Sequence, residues 1–180
     1  MAKVNRTIDE AIDEIFKDCK KVFKVAAQEA TEQAKKDLYE NSVSCLVRYY
    51  EDYDPTSYNR TYSLMDSFVP YANPVSEQGD MLICSAGVLF DPDRIMGIYD
   101  GSEIYTPTDG EWIIANFLTG IHPRTDGSQV AGGGNYENEK YYGNFVPAEE
   151  MQRYIDGYDY TFDRNLRRAV SKQILRSMRK

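Results

Sequence analysis

Along the N-terminal part of the chain, apolar residues return every three or four positions: Ile8, Ile12, Ile15, Phe16, Cys19, Val22, Phe23, Ala26, Ala27, Ala30 and Ala34. That period is one face of a helix, and Thr7 with Glu10 supplies a Thr-x-x-Glu capping box at its start. The pattern predicts a long amphipathic helix, roughly Ile8 to Glu40. Its stripe shrinks from Ile and Phe to Ala, so the second half can approach another element closely. Val43, Leu46, Val47 and Tyr50 keep the helical spacing over 42–53, as a continuation or as a second helix that ends before Pro55.

From Tyr62 the pattern changes. Met81, Ile83, Val88 and Phe90, flanked by turn formers, predict strands of an antiparallel sheet, and 95–105 reads as a further edge strand. GEWIIANFLTG (110–120) predicts a short helix with Gly120 as its left-handed cap. Trp112, Ile113, Ala115, Phe117 and Leu118 cover most of its circumference, which predicts burial between the sheet and the long helix. Residues 121–147 are glycine-rich and lack apolar period. A connection so long inside a compact domain is functional or disordered, and His122, Tyr136, Tyr141, Tyr142 and Phe145 mark it as an arm that orders against a neighbour. Pro147 with Glu149 and Glu150 opens a helix, Gly157 interrupts it, and 161–180 carries Phe162, Leu166, Ala169, Val170, Ile174, Leu175 and Met178 on one face. The 180 residues of the chain suffice for one domain.

Charge divides the chain more sharply than hydropathy does. The net charge is −8. Residues 1–48 are neutral overall, 49–163 are strongly acidic, and the end is basic without a single acid: Arg164, Arg167, Arg168, Lys172, Arg176, Arg179 and Lys180. The acidic middle speaks against a broad nucleic-acid face, while the basic end can seek an acidic partner, including the middle of a neighbouring copy. The 15 tyrosines exceed what a core demands and suit surfaces that are later buried. No run approaches the roughly 20 apolar residues of a membrane span, and the charged start does not read as a signal peptide. Cys19, Cys45 and Cys84 form no CxxC pair and read as reduced, mostly buried thiols.

The familiar chemistries find little support. His122, the single histidine, sits beside Pro123 with no GxSxG elbow, and reads as a turn residue. No Cys/His cluster has zinc spacing. Asp91-x-Asp93 starts like a calcium loop, but Ile95 and Met96 stand where a ligand and a glycine are needed, so a strand-ending turn is expected. GSQVAGGG lacks the following Gly-Lys-Ser/Thr of a phosphate loop. No enzyme, cofactor, metal or small-molecule substrate is expected.

YYEDYDPTSYNRT (49–61) gathers four tyrosines around Pro55, with Glu51, Asp52, Asp54 and Arg60. Its acids are too close in sequence to converge, so an Arg60 ion pair that fixes a Pro55 turn is the expectation. The spacing Tyr49-Tyr50-x-x-Tyr53-x-Pro55-x-x-Tyr58-x-Arg60-Thr61-x-x-Leu64-x-x-Ser67 after a long helix, followed by strands and Phe117-x-x-Gly120-x-His122, resembles the head–tail joining and tail-completion proteins (neck, minor tail) of tailed bacteriophages. Tyr62 and Pro123 stand where members of that family often carry glycine. The resemblance implies an α+β fold, a long helix packed on a small antiparallel sheet, with Tyr49, Tyr50, Tyr53, Pro55, Tyr58, Arg60, Thr61 and Leu64 at the helix-to-sheet corner. It further implies a virion protein made in the host bacterial cytoplasm. Such a protein forms a ring of its own copies, touches other neck, portal or tail proteins, and meets DNA only in passage. Opposite charge on the middle and the end suits a heterologous ring contact. Another phage minor capsid or tail-associated protein, or a cellular protein-binding module, are the other readings.

Overall fold

The computed structural model describes residues 7–51, 63–95, 97–99, 102–104, 107–123, 140–142 and 145–179. The fold is α+β, with a long N-terminal helix, short strands, a short helix and C-terminal helices. Two compact units can be distinguished: Met1–Ala34, Ala72–Ala86 and Asp159–Lys180 form one, and Lys35–Tyr71 with Gly87–Tyr158 form the other.

Helix α1 runs without interruption over Ile8–Glu51, so the second apolar segment is a continuation of the first. The predicted capping box closes its start. The Thr7 amide donates to the Glu10 carboxylate at 2.9 Å and the Glu10 amide to Thr7 Oγ1 at 3.3 Å. The β component is divided into two-stranded pairs rather than one sheet: β1 (Phe68–Ala72) with β4 (Ala86–Phe90), β2 (Ser76–Gln78) with β3 (Met81–Ile83), β5 (Gly97–Tyr99) with β6 (Ser102–Ile104), and β7 (Ile121–Pro123) with β8 (Lys140–Tyr142). The β2–β3, β5–β6 and β7–β8 pairs are antiparallel. Gly79 at φ +61° makes the turn between β2 and β3.

In the first unit the small residues of α1 form the seat. Ala26, Ala27, Ala30, Thr31 and Ala34 are buried, as are Val75 and, on α4 (Tyr158–Ser177), Ala169. Gln28 accepts a hydrogen bond from the Val75 amide at 2.8 Å, and Lys20 and Lys24 reach Glu77 at 3.0 and 2.9 Å. The expectation that alanines allow close approach therefore holds.

The second unit carries the larger core: Cys45, Leu46, Tyr49 and Tyr50 from α1, then Leu64, Phe68, Ile95, Ile114 and Phe117. Phe117 of α2 (Pro107–Thr119) is its centre. Its ring lies 5.4 Å from Tyr49 in a T-shaped contact, 5.7 Å from Phe68 and 6.2 Å from Phe90. Helix α2 thus packs against α1 and β1–β4 as predicted, and over more than half of its circumference: Gly110, Ile114, Asn116 and Phe117 are buried and Ile113 and Leu118 pack against the core, while Trp112 and Ala115 are exposed. The expected burial therefore holds for Ile113, Phe117 and Leu118 and is corrected for Trp112 and Ala115, which lie on the side of the thirteen-residue helix turned away from the core. Gly110 makes the seat possible, since a Cβ there would stand 2.5 Å from the Pro92 carbonyl oxygen. Gly120 ends α2 at φ +70°, with its amide donating to Phe117 O at 3.1 Å.

Helix α3 (Pro147–Asp156) begins on proline with Glu149 and Glu150 in its first turn, and stops at Gly157. Helix α4 starts immediately afterwards at Tyr158, three residues earlier than the apolar pattern alone suggested. The Tyr158 hydroxyl donates to Asp37 at 2.6 Å, which fixes the start of α4 on α1 within the second unit. Asp91 behaves as the expected turn residue: its Oδ1 accepts the Asp93 amide at 3.2 Å and its Oδ2 pairs with Arg94 at 3.1 Å.

Candidate functional site

The residues of the expected corner fall into two groups. Tyr49, Tyr50 and Leu64 are buried in the core of their own unit, so no neighbouring copy is needed to cover them. Tyr53, Pro55, Tyr58, Arg60 and Thr61 lie outside the described residues.

The expected arm differs more. His122, Tyr141 and Tyr142 belong to the β7–β8 pair, with His122 opposite Tyr141 and Ile121 opposite Tyr142. Phe145 packs against the unit's own core, under the Arg48 guanidinium at 4.1 Å. Both ends of the 121–147 stretch are therefore tied to their own chain, and residues 124–139, the middle of the expected arm, lie outside the described residues. Backbone pairing needs no apolar alternation, which is why the pattern did not announce it. Tyr136 lies outside the described residues. Arg48 also reaches Glu150 at 3.6 Å, and burial pushes the adjacent Cys45 thiol up to about 11, with the Glu150 charge adding to the rise and Arg48 opposing it. Cys45 is thus an inert core thiol. Cys19, by contrast, is exposed, so the expectation of mostly buried thiols fails there.

Two surfaces of the first unit stand out. The first is the beginning of α1. Ile8, Ile15 and Phe16 are 79%, 62% and 70% exposed, and Ile12, Cys19 and Phe23 are exposed with them. The stripe that the sequence assigned to a core is buried only from Ala26 onward; before that it faces water along four turns of helix. The signal for this was present in the same residues, because a long regular helix outruns the small unit available to cover it.

The second surface is the basic end. Arg167, Arg168, Lys172, Arg176 and Arg179, with Ser171 and Leu175, line an open groove of about 550 Å³ on α4. The sequence placed these cations correctly on one helix, but not their partner. Glu29 of α1 accepts from Lys172 at 2.9 Å and from Gln173 at 2.5 Å, and lies 3.5 Å from Arg176. The Lys172 hydrogen bond, helped by the charges of Lys172 and Arg176, holds the Glu29 carboxyl below its ordinary value against a smaller opposing effect of desolvation. Arg167 is paired with Asp163 at 2.7 Å. Arg164, Arg168 and Arg179 are exposed and have no ion pair among the described residues; Lys180 lies outside them. Leu175 in its lining is exposed, as are Ile174 and Met178 beside it.

Among the described residues no group of three or more His, Cys, Asp or Glu side chains is placed to hold a metal ion, and no helix is long and apolar enough to cross a membrane. Compared with protein-family models, with curated proteins and with solved structures, the chain matches none.

Proposed function

We propose that this chain is a structural subunit that works by assembly, and that its place is the head–tail junction of a tailed bacteriophage, as a neck or tail-completion protein. The observation that carries the assembly part is the uncovered apolar stripe of α1. Scattered apolar residues on a surface are ordinary, but Ile8, Ile12, Ile15, Phe16 and Phe23 repeat on one face of a single helix, and such contiguous patches mark contacts with other macromolecules. The cationic end of α4 adds a second contact of opposite character to the acidic middle of the chain, so one copy carries both halves of a head-to-tail contact that closes into a ring when the rotation allows. The phage location rests on the spaced residues from Tyr49 to Ser67 and from Phe117 to His122 in the sequence.

The genes that flank this one test the location directly. Portal, capsid and tail-tube genes beside it support the reading; a neighbourhood of metabolic genes would sink it.

A further inference from the structure

The cations of α4 are arranged against the stability of the helix that carries them. Arg164, Arg168, Lys172 and Arg176 follow one another at intervals of four residues, so each has a like-charged neighbour on the next turn, and such neighbours destabilise a helix. The helix dipole rewards a cation only in the last turn, where Arg176 stands; Arg164 and Arg168 lie well before it. Each four-residue step also advances about 40° around the axis, which turns the series from solvent toward α1. Lys172 and Arg176 reach Glu29, while Arg164 and Arg168 stay exposed and without an ion pair among the described residues. Arg179, exposed and unpaired in the same sense, lines one open groove with Arg168, and Ser171 and Leu175 lie between them.

The choice of cation separates this face from the rest of the surface. The six cations from Lys17 to Lys36 on α1 are all lysine, whereas five of the six in 164–179 are arginine. Lysine is a strongly hydrated point charge; the guanidinium is weakly hydrated and presents paired donors that fit the oxygens of a phosphate or a carboxylate. Energetics favours phosphate of the two. Exposed carboxylate pairs contribute little, and among the described residues only Glu29 and Asp163 pair with the cations of α4. A DNA strand carries a phosphate every 3.4 Å of axis, about five over the roughly 18 Å from Arg164 to Arg176, and each one neutralised releases condensed counterions.

We propose that the outward face of α4, with Arg164, Arg168 and Arg179 as its free cations, binds the phosphate backbone of nucleic acid without regard to sequence. Contacts of this kind set position and carry no sequence information. The net charge of −8 keeps the rest of the chain away from a polyanion, so the contact is confined to this one helix face and falls steeply with salt. The inference does not rest on the phage location. It concerns the free chain, in which no neighbouring copy has taken up these arginines.

The test measures fluorescence anisotropy of a short labelled DNA duplex with the full chain at neutral pH. Three phosphate contacts give a slope of about −2.7 in log K against log salt, so binding should weaken roughly 40-fold between 50 and 200 mM salt. Arg168→Ala should bring the slope to about −1.8, and two duplexes of unrelated sequence should agree within about threefold. The triple variant Arg164→Ala, Arg168→Ala, Arg179→Ala changes only exposed positions, so it should keep the wild-type circular dichroism and lose at least about tenfold in affinity at 50 mM salt. Lys17→Ala with Lys21→Ala, at exposed lysines of α1, should leave binding unchanged. Polyglutamate and phosphatidylserine vesicles, matched to the duplex in total charge, are the acidic-protein and lipid arms and should compete at least about tenfold less well. No binding at 50 mM salt, a slope unmoved by Arg168→Ala, an equal loss in the lysine variant, or competition by polyglutamate or vesicles as strong as by the duplex would each overturn the proposal.

Discussion

Replacing Glu29 by Gln isolates the electrostatic part of the α1–α4 contact within the first unit. The substitution keeps the shape and hydrogen-bonding reach of the side chain and removes the charge that faces Lys172 at 2.9 Å and Arg176 at 3.5 Å. Two unit charges 4 Å apart attract by about 4 kcal/mol at an effective dielectric constant near 20. Glu29 is about one-third exposed and both cations more than half, at 33%, 52% and 58%. Solvent screening and side-chain ordering reduce such pairs to roughly 0.2–1 kcal/mol each. Two of them give an expected loss of about 1 kcal/mol, or a fall of ~0.5 M in the urea midpoint for a slope near 2 kcal/mol per M. The sign of the pH dependence follows from the depressed carboxyl of the folded state. The stabilisation is complete above the ordinary value of 4.5 and is lost as pH falls through the lower folded value, so the gap between wild type and Glu29→Gln should be widest at neutral pH and narrow steadily below 4.5. It should also shrink in 1 M salt, where the screening length is about 3 Å. Urea unfolding followed by circular dichroism at pH 7, pH 4 and pH 3, with and without salt, measures this. A gap of equal size at every pH, or one unmoved by salt, would show that packing rather than charge holds α4 at Glu29.

Three further outcomes follow from the two units. Gly120→Ala places a Cβ 2.3 Å from the Phe145 carbonyl oxygen in a left-handed backbone, so it should lower stability by about 2 kcal/mol or more, while Gly79→Ala, with open space around its Cβ, should cost only the backbone term of about 1 kcal/mol; thermal unfolding of the two variants compares them. Tyr158→Phe removes the 2.6 Å hydrogen bond to Asp37 and should cost about 1 kcal/mol, with faster amide exchange in the first turn of α4 as the local readout. In the native chain at pH 8, a maleimide should modify Cys19 promptly and leave Cys45 untouched until the protein is denatured, because Cys45 is buried and its thiol is raised to about 11; equal labelling rates would contradict its place in the core.

Much of the helical architecture was legible because helices write their period and their ends into the chain. Thr7 and Glu10, Pro147 and Gly157 each act within a turn of themselves, and the structure puts element boundaries at all of them. The inward placement of Tyr49, Tyr50 and Leu64 was not legible, since tyrosine suits a core and an interface equally, and only Phe117, more than sixty positions away, decides between them. The β7–β8 pair was invisible for a related reason: three-residue strands pair through backbone groups, which Ile121, His122 and Lys140 to Tyr142 carry whatever their side chains, while Pro123 offers only its carbonyl. At the candidate site the sequence showed the stripe of α1 and the cations of α4, but not their surroundings. Periodicity marks a face as apolar without stating whether the chain has enough mass to cover it, and here the cover ends near Ala26.

If the chain is a component of a tailed particle, as we propose, its exposed α1 face is covered there. Side-chain oxidation footprinting, read by mass spectrometry on the free chain and on gradient-purified particles from the same lysate, tests both halves together. The expected result is a fixed number of copies per particle, with Ile15, Phe16 and Phe23 protected relative to a freshly denatured control. Absence of the chain from purified particles, or equal oxidation of those three residues in particle-bound and denatured chain, would contradict it.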